Sequence, residues 1–207
     1  MFRTITALLL LPVTGAYLEA LRQFFPLIAA NSRALLWPGA GLLAYIVIRK
    51  GILRSRQGGL WDTFQHELTH AVFCLVLFVR VHRIEASDRD QGDGFLGCVV
   101  HDRCDPFRGA LISLAPYFFP TLTVVLVALR AVVAPGHIAT FDFFIGVSLG
   151  YYTLSLLHDF GFHQDDIRNN GWFLSCVVIV LLNHVILAML ALIIRALLVP
   201  TLFPFDR

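Results

Sequence analysis

The chain has 207 residues, of which 57% are hydrophobic and 14% charged, and its mean hydropathy is +0.75. A soluble domain of this size exposes far more charge, so the composition places the chain among membrane proteins. The formal net charge of +2 is small, and no basic stripe with interleaved aromatics points to a nucleic-acid partner.

A membrane-crossing helix needs about 20 mostly apolar residues. The first stretch near that length is Ile5 to Ala30, interrupted by Glu19 and Arg22. Met1-Phe2-Arg3 ahead of it resembles a signal-peptide start, but no convincing cleavage site follows, so an uncleaved membrane segment is expected. The second stretch, Ala34 to Ile48, ends in the basic cluster Arg49, Lys50, Arg54 and Arg56, which favours a cytoplasmic loop. The third, Gly59 to Val79, carries His66-Glu67-Leu68-Thr69-His70. A polar interruption over residues 80–106 follows. Its two short runs, Val81 to Ala86 and Phe95 to Val100, flank an Asp/Gly-rich turn over Asp88 to Gly94 and predict a hairpin. The fourth stretch, Phe107 to Val133, contains Pro116 and Pro120; the fifth is Ile138 to Leu157; the sixth is Trp172 to Leu198. The expected fold is therefore all-α: a single integral membrane domain over residues 1–207, a polytopic bundle of about five or six spans with a small β-hairpin-like insertion after the third.

His66 and His70 stand four residues apart, which on a helix puts both imidazoles on one face, one turn apart, where one metal ion can meet both. Glu67 lies about 100° round the axis, too far to complete a regular ligand face but able to reach a water at the ion. Zinc catalysis divides its work in this way: ligands hold the ion, the ion acidifies a water, and a carboxylate accepts the proton. Two histidines and a glutamate within an apolar span are costly unless they serve a site.

Two imidazoles leave a zinc site incomplete, and a third protein ligand is expected. The polar patch His158 to Arg168 between the last two apolar stretches supplies the candidates. Asp166, near the start of the last helix, is the first choice and Asp159 the alternative; Asp165, His158 and His163 stay open. The proline pair breaks the backbone ladder of a span, which is tolerated where protein or a cavity covers the freed carbonyls. Cys98 and Cys104 flank a polar loop and are read either as a disulfide or as two free thiols. Trp61 and Trp172 sit where interface anchors sit, and His184 is expected to be a buried hydrogen-bonding residue.

Thr63-Phe64-Gln65-His66-Glu67-Leu68-Thr69-His70-Ala71 in an apolar helix, the glycine-bearing hairpin-like segment, Ser113-Leu114-Ala115-Pro116-Tyr117 in the next helix and a distal aspartate before a late span together resemble the site-2-protease family of intramembrane zinc peptidases. The resemblance covers about residues 55–185. It implies a zinc-dependent metalloendopeptidase acting on membrane-spanning or membrane-associated proteins, in a multi-pass chain of the bacterial inner membrane. It also implies His66, His70 and Asp166 as ligands and Glu67 as the general base. The chain departs from the family's distal motif, in which glycine follows the aspartate; here Asp165-Asp166-Ile167 stands instead. A different class of function is a non-catalytic membrane protein that uses the histidine pair for metal or haem binding or for transport; a simple binding protein has no need of Glu67. The strand over residues 96–100 is expected to hold an unwound substrate segment by main-chain bonds.

Overall fold

A computed structural model describes residues 32–52, 59–87, 97–161 and 164–202, with scattered positions between 8 and 22. The first apolar stretch, Arg54, Arg56, the turn over residues 88–96 and His163 therefore lie outside or largely outside the described residues. The described elements are α1 (Ser32–Val47), a π-helical turn (Ile48–Ile52), α2 (Leu60–Val76), β1 (Val81–Ala86), β2 (Gly97–His101), α3 (Pro106–Phe118), α4 (Thr121–Arg130), a 3₁₀ turn (Pro135–His137), α5 (Ile138–Asp159), α6 (Asp165–Asn170) and α7 (Trp172–Leu202). The fold is mostly helical with one small antiparallel sheet.

Among the described residues, Pro135–Asp159 and Trp172–Ile193 are long and apolar enough to cross a membrane. The pair α3 and α4 passes the same test together, but the two helices meet at a bend of 74°. The helices α1 and α2 are shorter, with 16 and 17 residues. At 1.5 Å per residue they reach roughly 24–26 Å, a little less than a hydrocarbon core of about 30 Å.

The chain leaves α2 through Phe78, which adopts a left-handed backbone (φ 57°), with Val79 N–H donating to the Cys74 carbonyl at 2.7 Å. This reversal starts β1, which pairs antiparallel with β2 from Val81↔His101 to Ala86↔Gly97, with an irregularity between Val81 and Arg83. The expected hairpin strands are present within a residue or two of their sequence limits. Asp105 then caps α3 by accepting the Phe107 and Arg108 amides at 3.0 and 3.1 Å, with Pro106 at the first helical position. Those bonds, that from Arg108 foremost, hold the Asp105 carboxyl below its ordinary range, so the cap persists above that range and is lost as pH falls through the lowered value. The residue Gly171, at φ 87°, turns the short α6 into α7.

Glycines set the closest helix contact. A Cβ on Gly146 would lie 1.8 Å from the Pro38 carbonyl oxygen, and one on Gly41 would lie 1.9 Å from that of Phe143. The helices α1 and α5 thus touch backbone to backbone, and Gly146 and Gly150 form the small-xxx-small spacing that membrane helices use for such approaches. The core is Leu114, Ala115, Tyr117 and Phe118 of α3 packed on Ile167 and Ile179, so the broken helix lies at the centre of the molecule.

Deep between α4 and α5, Arg130 donates to Asp142 through Nε at 2.5 Å and through Nη2 at 3.1 Å, and each residue is 3% exposed. Removing one partner leaves a buried charge alone, so Asp142→Ala is expected to destabilise by about 3–5 kcal/mol. The double change Arg130→Met/Asp142→Leu is expected to recover most of that loss. Unfolding in micelles checks both; equal stability of Asp142→Ala and the native protein contradicts the expectation.

Candidate metal centre

The motif helix α2 places the two imidazoles edge to face, with ring centroids 4.9 Å apart. Ligand atoms of His66, Glu67 and His70 lie within 4.8 Å of one another, close enough to hold a metal ion. Thr69, between them, returns its hydroxyl to the Gln65 carbonyl at 2.9 Å and meets the Thr121 hydroxyl at 2.7 Å, which ties α2 to the start of α4.

His70 is oriented through the nitrogen that faces away from the cluster centre, and the outer nitrogen of His66 faces a carboxylate. The His70 Nδ1 is 2.7 Å from the Ile112 carbonyl oxygen. A carbonyl only accepts, so Nδ1 carries a hydrogen, which in the neutral ring leaves Nε2 as the nitrogen able to ligate. The His66 Nδ1 is 3.7 Å from Asp159 Oδ2, while Asp159 Oδ1 is 2.7 Å from His158 Nδ1. The Tyr117 ring stands edge-on to His66 at 5.6 Å and is almost fully buried.

The helix α6 brings Asp166 to the opposite side. Its Oδ2 lies 3.5 Å from His66 Nε2 and 3.4 Å from His70 Nε2, and Tyr117 donates to the same oxygen at 3.5 Å. The backbone of Asp166 is held by Asn170, whose Nδ2 donates to the Asp166 carbonyl at 2.8 Å and also bonds the Ser113 hydroxyl. A tetrahedral ion with bonds of about 2.0–2.2 Å holds its ligand atoms roughly 3.3–3.5 Å apart. The two Asp166 separations match that spacing, and two imidazole nitrogens with one carboxylate oxygen are a donor set that zinc accepts. The two aspartates singled out in the sequence thus sit differently: Asp166 faces both Nε2 atoms, and Asp159 faces the outer nitrogen of His66.

Of the other candidates, His163 lies outside the described residues, and Asp165 and His158 have partners of their own. Asp165 pairs with Arg168 at 2.5 Å, and half-exposed His158 is bonded to Asp159. His184 bonds the Val180 carbonyl at 2.6 Å on its own helix, half-buried. Cys98 and Cys104 are free thiols: Cys98 lies 3.6 Å from the Glu85 carboxylate, and Cys104 packs against Cys74, Val79 and Ile112.

The cluster opens onto a cavity of about 530 Å³, lined also by Asp62, Thr63, Ser113 and residues of β2. The first residue of β2 sits directly over the glutamate: a Cβ on Gly97 would lie 2.8 Å from Glu67 Cγ and 2.8 Å from Thr63 Cγ2. Only glycine lets the strand approach that closely. Glu67 is 8% exposed, within reach of the cavity and screened from bulk solvent.

Sequence reasoning did not single out Tyr117 by role, Asn170, Thr121 or the Ile112 carbonyl. The signal for the first was present: Ser113 and Tyr117 stand four apart and share one face of α3, next to Pro116. The bonds of Asn170 and Thr121 join residues 57 and 52 positions apart and leave no local trace.

Comparison with protein-family models, with curated proteins and with solved structures finds no match.

The different places of the two aspartates make them separable by experiment. Asp166→Ala is expected to abolish stoichiometric zinc retention. Asp159→Asn, which removes charge from an orienting contact, is expected to weaken zinc by about 10–100-fold without abolishing it. Chelator competition on the purified protein measures both, and an inverted order of effects would reassign the third ligand to Asp159.

Proposed function

We propose that the protein is an intramembrane zinc metalloendopeptidase, similar to the site-2-protease family, that hydrolyses peptide bonds of membrane-spanning or membrane-associated proteins. The reading includes a multi-pass bundle of five or six spans in a bacterial inner membrane. The observation that supports it most is the convergence of His66 Nε2 and His70 Nε2 on Asp166 Oδ2, at 3.5 and 3.4 Å, beside a screened carboxylate at a cavity wall. When bound, zinc supplies Lewis acidity for the scissile carbonyl and makes a water acidic enough to attack at neutral pH.

The chain's own residues do the rest. His66, His70 and Asp166 hold the ion. Asp159 and the Ile112 carbonyl fix the two rings through Nδ1, so that Nε2 is the ligating atom of each. Glu67 takes a proton from the attacking water at a carboxylate oxygen and passes it to the nitrogen of the leaving amine. The carboxylate stands beside the first ligand, a position that metal binding alone does not require.

A substrate helix must unwind before its amide can be reached, and β2 is suited to hold the unwound segment. Among the described residues it pairs with β1 on one side only, and it lines the cavity through Gly97, Cys98, Val99 and His101. Main-chain bonds along that free edge would hold an extended peptide across Glu67. Successive strand amides point to opposite edges, so a proline at Val99 or at Val100 removes an outward N–H. One of the two is expected to lower cleavage with zinc retained; full activity in both variants excludes this role.

The function itself is tested with Glu67→Gln. The variant is expected to keep stoichiometric zinc and to lose about 10²–10⁴-fold in turnover of a transmembrane reporter. Native-like turnover in a clean preparation, or no cleavage by the native protein of any transmembrane reporter, overturns the reading.

A further inference from the structure

We infer that Pro116 is a positioning residue of the metal centre: by lacking an N–H it leaves the Ile112 carbonyl free to hold the His70 ring with Nε2 turned toward Asp166. The inference rests on reading the cluster as a metal site. It assigns to a proline, on a helix that carries no ligand, the orientation of a ligand on another helix.

In an α-helix the amide of residue i donates to the carbonyl of residue i−4. In α3 that pairing joins position 116 to Ile112. Proline has no hydrogen to give, and its ring pushes the i−4 carbonyl away from the helix axis. The Ile112 oxygen is thus left without its helical donor, in a residue that is 3% exposed at the wall of the cavity. A carbonyl left unpaired in the apolar layer is costly, so a donor from elsewhere is favoured. The donor that answers it is the Nδ1–H of His70, 42 residues away in the chain and 2.7 Å away in space.

A second carbonyl is freed one turn on, where the helix ends at Phe118 ahead of Pro120 and the Thr121 amide donates to Phe119 instead of to Tyr117. The Tyr117 carbonyl is then claimed by Asn183 Nδ2 at 2.6 Å and by the Tyr152 hydroxyl at 3.0 Å, from α7 and α5. Carbonyls released by the break are used to seat side chains of other helices, and in the first case that side chain belongs to the metal cluster.

An amide at position 116 would compete for the Ile112 oxygen and let α3 straighten, drawing that oxygen back along the helix axis. His70 would lose the bond that selects its tautomer. Outer-shell partners of this kind typically change metal affinity by about 10–100-fold.

The test uses the full-length protein in micelles. Chelator competition gives zinc affinity, and ¹⁵N NMR of histidine-labelled protein, assigned with His70→Asn, gives the His70 tautomer. In native protein His70 is expected to carry its hydrogen on Nδ1. Pro116→Ala is expected to bind zinc about 10–100-fold more weakly, with its metal-free helical content and unfolding temperature maintained. An α-hydroxy acid at position 116, which has an ester oxygen and no N–H, is expected to restore most of the affinity. A merely structural proline would not be rescued in this way, because the ester lacks the ring. Undiminished affinity in Pro116→Ala overturns the inference, as does an ester variant as weak as the alanine variant. If the alanine variant does not fold, a native His70 that carries its hydrogen on Nε2 overturns it. Native protein that holds no zinc sinks the metal reading itself, and the inference falls with it.

Discussion

Backbone carbonyls in an apolar layer must find donors within the protein, and here Pro116 withholds its amide from the Ile112 carbonyl three residues before the helix breaks ahead of Pro120. Much of the arrangement around the site follows from that constraint. The bend of 74° between α3 and α4 opens the bundle beside α2, and the carbonyls released there reach outward to His70, Tyr152 and Asn183. Four fully buried residues of the core, Leu114, Ala115, Tyr117 and Phe118, belong to the last turns before the break. Packing and polar pairing meet in one short segment, and that segment bonds the His70 ring.

The cluster of His66, Glu67, His70, Asp159 and Asp166 brings ionisable groups into an otherwise apolar interior. The histidines and aspartates in it have partners of the right kind. Imidazole N–H groups face a carbonyl and a carboxylate, and Asp166 Oδ2 faces two nitrogens and a phenol. The second buried charge pair, Arg130 and Asp142, is closed on itself by two hydrogen bonds and lies apart from the cavity. One set of charges is arranged to pin helices and the other to face a space. On the proposed reading, the close approach of β2 through Gly97 makes that space a slot with Glu67 at its floor.

Much of the architecture could be read from residue order. Apolar stretch lengths marked α5, α7 and the broken pair, and the Asp/Gly-rich turn marked the hairpin, because hydropathy and turn chemistry are local properties. The backbone contact of α1 with α5 was not foreseen. Gly41 and Gly146 are more than a hundred positions apart, and their fit depends on which helix faces touch. Of the site, the spacing of His66, Glu67 and His70 was plain, since a four-residue interval fixes a shared helix face wherever the helix goes. The choice between Asp159 and Asp166 was not, since both stand in one polar patch seven residues apart.

Residue order alone was enough to mark the helices apolar enough to cross a membrane, the helix-borne triad and an interruption near Pro116 and Pro120, since each depends on residues close together in the chain. Packing between helices is what sets Asp166 against both Nε2 atoms and Asp159 against an Nδ1, and what brings the Ile112 carbonyl to His70. Those are relations between helices brought together by packing. Local spacing carries no information about which nitrogen of a ring a distant oxygen will reach.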